Sequence, residues 1–392
     1  MPRRPVATHR EAVHAALSAF VGTVSVRSSA GLGRVAACDV RASVSLPVFD
    51  NSSMDGFAVR ACDVTPGVPL PVTGRVYAGD GDVAELTPGT TVAIMTGAPL
   101  PAGADAVIPV EQSAECDGQV TFDAAPSRGA FVRPAGDDVR AGDLVVASGA
   151  VLAPRHLGAL AAAGVAELDV FARPRIGVIA TGSELVAPGE ALRPGQIYES
   201  NSLLLASLAE CNGADVTHVS VAGDGGDFAD HLTAACEVSD LVITSGGISM
   251  GEREPVRQTL AGHGWFGPIA MQPGGPQGLA HWRDTPVVCV PGNPVSSLVS
   301  FEVLLRDVVG GVGRRPPAPA ETARLTAGLT SMDGKTQFLR GRRRGDGAVD
   351  VVGGPGSHLA VTAADADVLI EIPETTTAMA AGEEVRLWPL TQ

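Results

Sequence analysis

The chain predicts a multidomain α/β plus β fold, on three observations. Its 392 residues exceed what one hydrophobic core usually organises. From about residue 173, near-continuous apolar runs alternate with helical stretches, the pattern of a three-layer α/β domain with a mostly parallel sheet. On either side of it, short β runs are broken by turn residues, which indicates smaller β domains. Hydrophobic residues make up 45% of the chain and aromatics only 4%, so these cores are aliphatic.

Taken in order, residues 1 to about 46 carry an amphipathic helix with apolar positions at Val13, Leu17 and Phe20, followed by GLGRVAACDV. Residues 47–140 hold PVTGRVYAG, TTVAIMTG and DAVIPVEQ, three short β runs in a Gly- and Thr-rich setting. VLAPRHLGALAAAGVAELDVF then reads as a helix and a strand that return to pack on the N-terminal helix. On this reading, 1–46 and 141–172 form one discontinuous helical/linker domain that mediates dimerisation, and 47–140 is a β domain inserted into it. The α/β domain takes 173–315. Its four apolar strands are RIGVIAT, DVTHVSVA, LVITS and PVVCV, with helices NSLLLASLAECNGA, DFADHLTAACEVS, EPVRQTLAGHG and PVSSLVSFEVLLRDVVGGV between and after them. Pro316, Pro317 and Pro319 mark a linker, and 318–392 alternates like a small antiparallel barrel or sandwich.

Composition excludes several classes. The formal net charge of −15 disfavours a nucleic-acid binder, which needs a basic face. The run Arg340, Arg342, Arg343 and Arg344 is expected to be an exposed strand face. The positive residues are nearly all Arg, with Lys335 the single lysine. The six cysteines show no C-x-x-C pair and no zinc spacing, so buried reduced thiols are expected. No apolar stretch is long enough to span a membrane, and no signal-peptide core is present, which points to a cytoplasmic protein. Gly31-x-Gly33-x-x-Ala36 imitates a dinucleotide fingerprint but lacks a surrounding βαβ unit.

Ligands of open parallel sheets bind beyond the carboxyl ends of the strands. Three such ends carry unusual turns: Thr181-Gly182-Ser183-Glu184, Ser245-Gly246-Gly247-Ile248-Ser249-Met250-Gly251-Glu252, and Pro291-Gly292-Asn293-Pro294. Small residues there let backbone N–H groups approach a phosphate beside helix N-termini. The same edge holds Glu184, Asp224, Glu252 and Glu254. Carboxylates beside a phosphate make sense when Mg²⁺ bridges the two. Glu252 and Glu254 also suit an ordinary helix start. A second polar concentration lies in the β domain: residues 47–60, Ile94–Ala98, and Arg133 with Asp137 and Asp138.

Together these segments resemble one family. FDNSSMDGFAVR, IMTGAPLPAGADAVIPVE, VRPAGDD, ATGSEL, GQIYESN, SGGISMGE, VPGNPVSS and GSH, in this order, resemble the molybdopterin molybdenumtransferases, the family of the gephyrin E domain. The resemblance runs from about residue 30 to the C-terminus. It implies an elongated homodimer of four-domain subunits, with the site shared between the α/β domain of one subunit and the β domain of the other. It implies insertion of molybdenum into adenylylated molybdopterin, with hydrolysis of the phosphoanhydride and release of AMP. The molybdopterin adenylyltransferase that makes this precursor is the implied partner. A weakly catalytic paralogue that binds or presents the cofactor is the alternative reading.

Carried onto this chain, the resemblance makes Asp55, Thr96, Asp138, Glu184, Asp224 and Glu254 the catalytic set. Ser183, Ser245, Gly246, Gly247, Ser249, Gly251, Pro291, Gly292, Asn293, Pro294 and Ser357 become substrate-binding. Glu184 and Asp224 are assigned to Mg²⁺ or to the attacking water, and Asp55, Thr96 and Asp138 to positioning from across the dimer. Four departures stand out. Gln272 and Gly275 occupy the places of two lysines in the family's K-P-G-K-P. Glu254 replaces the aspartate of G-E-A-D-Y, Glu199 that of I-Y-D-T-N, and Asp137 the glutamate of G-E-D. Loss of both lysines predicts weaker anion binding, unless Arg253 or Arg257 compensates.

Overall fold

A computed structural model describes residues 3–17, 22–224, 226–249, 251, 254–312, 317 and 321–391. The chain divides into two compact units. One comprises Met1–Val24, Gly33–Val35 and Val170–Gln392, and the other Ser25–Leu32 and Ala36–Asp169. Phe20, Glu252, Arg253, Pro316 and Pro319 lie outside the described residues.

The first unit is organised by a six-stranded sheet. Its order is Asp215–Ala222, Arg175–Thr181, Leu241–Ser245, Thr285–Val290, Pro276–Trp282, Gly264–Pro268. The first four strands are parallel and the last two antiparallel. Apolar runs such as RIGVIAT and LVITS are buried along their length because helices cover both faces. On one face, Leu205 and Leu208 of helix Asn201–Cys211 pack with Phe301 and Leu305. On the other, Phe228, Leu232 and Ala235 of helix Phe228–Val238 pack with Val256 and Leu260 of helix Pro255–Leu260. Truncating one such fully buried leucine costs about 2–5 kcal/mol.

Several details depart from the sequence reading. DVTHVSVA is an edge strand, paired only with Arg175–Thr181. Its exposure alternates between the two faces of the sheet, with Asp215, Thr217, Val219 and Val221 on the exposed one. The antiparallel pair Gly264–Pro268 and Pro276–Trp282 extends the sheet, although its Gly, His and Pro residues hide any period. The N-terminal helix Val6–Leu17, expected to pack on the 151–171 segment, falls in the compact unit of the α/β domain. Val13 and Leu17 instead enter the core formed by Ile176, Leu205 and Phe301. The helix after the fourth parallel strand widens into a π turn at Phe301–Leu305 between Pro294–Ser300 and Arg306–Val312.

The C-terminal strands close a small barrel. Thr336–Arg343 pairs with both Ala348–Val351 and Val368–Ile372, and the ring is completed through Glu321–Leu325 and Glu384–Pro389. One pairing, Glu321–Leu325 with Ala348–Val351, is parallel rather than antiparallel. The short strand Met271–Gln272 joins this sheet alongside Thr336–Gln337. The arginine run here is engaged within the fold. Arg342 faces Asp365, Arg343 faces Glu321 and Asp367, and Arg344 faces Asp346 and Asp350. Arg340, expected on an exposed face, is buried and donates to the carbonyls of Gly354 and Gly356 at 2.5 and 2.9 Å.

The second unit centres on another six-stranded sheet. Its order is Ala106–Pro109, Gly56–Val59, Thr91–Ile94, Leu70–Val76, Gln119–Phe122, Ser113–Cys116. Phe57 and Phe122 meet edge-to-face at 5.9 Å in a core with Val59, Ile108 and Val120. Ser28 ties the returning chain through its hydroxyl to the Val165 carbonyl at 2.6 Å. A three-residue 3₁₀ turn, Ser28–Ala30, precedes Gly31, so no βαβ unit surrounds the fingerprint imitation. None of the six cysteines forms a disulfide. Only Cys289, on a central strand, is buried, whereas Cys38, Cys62, Cys116 and Cys211 are exposed, contrary to the expectation. Among the described residues, no helix is long and apolar enough to cross a membrane.

Candidate functional site

The three strand-end turns of the α/β domain meet in one pocket of about 650 Å³. Glu184, Asp224, Ser245, Gly246, Gly247, Ser249, Glu254, Pro291, Gly292, Asn293, Pro294 and Ser357 all line it. Ser183 and Gly251 are not among its lining residues. The Ser183 hydroxyl accepts from the Asp224 N–H at 2.8 Å, which joins the Glu184 turn to the Asp224 loop. Gly251 lies under Glu254, whose Oε1 would be 2.9 Å from an added Cβ.

Steric demand explains the glycines of the second turn. Gly246 and Gly247 have φ of +89° and +64°. A Cβ at Gly246 would stand 2.7 Å from the Thr181 carbonyl, and one at Gly247 2.9 Å from Thr181 Oγ1. The first two turns touch here, and Thr181 Oγ1 donates to the Ser245 carbonyl at 3.3 Å. Not every N–H of these turns faces a ligand. Gly182 donates to Ala222 and Gly246 to Val290, so their contribution is close packing.

The carboxylates divide by use. Glu199, buried, accepts the N–H and hydroxyl of Ser202 at 2.8 and 2.5 Å and holds the start of the Asn201–Cys211 helix. Glu254 Oε2 accepts the Ser249 N–H at 2.8 Å and closes its own loop. Glu184 is exposed above Gly182, its Oε2 2.6 Å from where a Cβ there would stand. None of the described lining residues is Lys or Arg. Gln272, one of the two lysine replacements, lines the wall with Pro273, Gly274 and Pro276. From the barrel, Pro355 and Ser357 complete the wall, and Asn293 Nδ2 donates to Ser357 Oγ at 3.0 Å.

The donor set suits Mg²⁺. Carboxylate oxygens are hard ligands, and no group of three or more His, Cys, Asp or Glu that could hold a metal gathers among the described residues. Two carboxylates would leave most positions to water and phosphate oxygens, the habit of Mg²⁺.

In the other unit the expected polar segments also come together. Ala135 N–H donates to Asp50 at 2.7 Å, and Ser52 exchanges backbone bonds with Gly97 and Ala98. Asp55, exposed, accepts both the N–H and the hydroxyl of Thr96 at 2.7 Å. The Thr96 N–H first, and its hydroxyl second, hold the Asp55 carboxyl below the usual carboxylate range. Asp138 is exposed, and its N–H donates to Leu46.

Asn201 is among the lining residues that sequence reasoning missed. It stands in the quoted GQIYESN segment, but an asparagine opening a helix carries no distinctive signal.

Family models match nearly the whole chain. The MoeA N-terminal region (domain I and II) matches residues 4–164, a probable molybdopterin binding domain 177–311, and the MoeA C-terminal region (domain IV) 322–390. Molybdopterin molybdenumtransferase 2 of Mycobacterium tuberculosis is 42% identical, with 94% of this chain and 95% of that protein covered. Molybdopterin molybdenumtransferase of Haemophilus influenzae is 35% identical, with 91% of each covered. A molybdopterin biosynthesis MoeA protein of Pyrococcus horikoshii superposes with a TM-score of 0.83 at 32% identity over all of both chains.

Proposed function

The chain belongs to the molybdopterin molybdenumtransferase family, an enzyme family of molybdenum cofactor biosynthesis, and from that premise we propose that it inserts molybdenum into adenylylated molybdopterin, releasing AMP. The observation that carries this reading is the convergence of three strand-end turns with Glu184 and Asp224 on one pocket.

In this scheme the phosphoanhydride lies against the turns, with Ser245, Ser249 and Asn293 around it. Water attacks phosphorus, the bond to the AMP oxygen breaks, and Glu184 takes the proton that water loses. AMP leaves as an anion, and the two dithiolene sulfurs bind the molybdenum of molybdate, one of whose oxo ligands leaves as water with the two thiol protons. Glu184 and Asp224 would hold Mg²⁺, which would offset the charge of the pyrophosphate. A homodimer is part of the proposal: Asp55, Thr96 and Asp138 of a second subunit would position the substrate. The precursor would come from a molybdopterin adenylyltransferase, and both would work in the cytoplasm. The domain limits assigned from sequence, 1–46 with 141–172, 47–140, 173–315 and 318–392, are kept as part of this proposal.

A second reading has one observation in its favour. The absence of Lys and Arg from the described lining residues suits a paralogue that binds the cofactor without turnover. Single-turnover AMP release from adenylylated molybdopterin, with and without molybdate and Mg²⁺, separates the two. Release that needs both ions supports the transferase, and binding without release supports the paralogue.

A further inference from the structure

Two contacts hold the three turns of the pocket in register. The first is Thr181 on Ser245, between the first and second turns. The second, between the second and third, comes from Asn201. Its Nδ2 donates to Ser245 Oγ at 2.9 Å and to the Gly292 carbonyl at 2.6 Å. The orientation of this amide is unambiguous, because a backbone carbonyl only accepts and so must face nitrogen. The consequence is costly: Asn201 Oδ1 is buried and has no partner among the described residues. An orphaned buried acceptor in a native fold calls for a reason.

The reason lies in the direction of the hydrogen bonds beyond it. Ser245 Oγ stands 3.1 Å from Ser297 Oγ, and Ser297 Oγ donates to the Pro291 carbonyl at 2.7 Å. The Pro291 carbonyl only accepts and lies 3.4 Å from Ser245 Oγ as well, so both hydroxyls have an acceptor beyond them and Ser245 Oγ is left to accept from Asn201. Ser245 and Ser297 are buried, so no solvent stands ready to replace the Asn201 donor to Ser245. Only a neutral double donor at position 201 serves both Ser245 and Gly292. An aspartate has the same shape but would aim a carboxylate at the Gly292 carbonyl.

We propose that Asn201 is a positioning residue for the reaction, setting the gap between the Ser245–Ser249 and Pro291–Pro294 turns across which the phosphate of the ligand lies. This rests on the reading of the pocket given under Proposed function. Glu199 supports it indirectly, by fixing the helix start from which Asn201 projects.

The test measures AMP binding by calorimetry in Mg²⁺, at a temperature well below unfolding, alongside the thermal midpoint. It compares the full chain with Asn201→Ala, Asn201→Asp, Asn201→Ser and Leu232→Ala. Leu232 is buried on the opposite face of the sheet and serves as a control for lost stability. Asn201→Ala is expected to weaken AMP binding at least tenfold and Asn201→Asp further, with Leu232→Ala within threefold of the parent despite a lower midpoint. Asn201→Ser, which keeps one donor, should fall between the parent and the alanine variant, and it carries the test if Asn201→Ala does not fold. AMP affinity within threefold of the parent in the folded Asn201 variants would overturn the inference. An equal loss in Leu232→Ala would also overturn it, by reducing the effect to stability. If the parent binds no AMP, the reading of the pocket itself fails.

Discussion

The pocket of the α/β domain and the Asp55 surface of the β domain carry the same kind of side chain in opposite settings. In the pocket, carboxylates stand in a concavity made by three turns that touch one another, and geometry comes from close packing of glycines against Thr181. At Asp55 the carboxylate is exposed and held by two bonds from one residue, Thr96. A concave site can exclude water and do chemistry. An exposed, fixed carboxylate can orient a group brought to it. On the proposed function, the first region carries the reaction and the second positions the substrate.

The strongest attempt to break this division is Glu184→Gln. If the pocket does the chemistry, single-turnover AMP release falls about 100-fold or more, while Asp55→Asn retains the chemistry once substrate is saturating. Equal losses of the saturated rate in the two variants would erase the distinction.

Mixing the two variants sharpens the comparison. In a twofold dimer with shared sites, and at substrate far below saturation, where each variant alone is expected to be inactive, random reassortment of Glu184→Gln and Asp55→Asn subunits restores about a quarter of the parent activity, since half the dimers are mixed and each keeps one intact site. No recovery after subunit exchange, shown by mass spectrometry of the mixed dimers, would mean that both residues serve one subunit's site.

A tenfold effect is expected from charge. The pocket wall carries Gln272, with Gly275 close by in sequence, where the family pattern has lysines. Gln272→Lys with Gly275→Lys adds charge-assisted bonds worth about 1.5–3 kcal/mol. The molybdate concentration for half-maximal activity should drop about tenfold or more. An unchanged concentration would mean that the anion is held elsewhere.

The smallest effect concerns pH. The Thr96 donors stabilise ionised Asp55 and lower its pKa. Thr96→Val removes the hydroxyl, the lesser of the two, and keeps the N–H, so the carboxyl rises part of the way back. Activity that needs ionised Asp55 should then be lost at a higher pH on acidification, with the alkaline limb unmoved. A superimposable acid limb would remove Asp55 from the titrating groups.

Much of this was legible in the residues. Glycines and prolines at strand ends are visible, and the parallel topology that gathers them follows from alternating apolar runs, so the pocket could be anticipated. Other features follow from three-dimensional neighbours that no local pattern encodes. An amphipathic stripe on Val6–Leu17 shows that the helix packs, not that it packs on Leu205 and Phe301. Gly246 was expected to offer its N–H to a phosphate, yet its N–H is taken by Val290 and its role is to admit Thr181. Asn201 escaped notice because its importance lies in bridging Ser245 and Gly292, which are far from it in sequence.

The strand Met271–Gln272 belongs to two structures at once, lining the pocket and pairing with the barrel strand that begins at Thr336. A protease cut between the α/β domain and the barrel would therefore do more than trim an appendage. It would strip Gln272 of its neighbour and carry off Pro355 and Ser357, leaving a fragment with every acidic group of the pocket and an open wall. A nascent chain halted before the barrel is made would be in the same position, so the barrel acts as the closing piece that separates an assembled enzyme from a set of correctly chosen side chains.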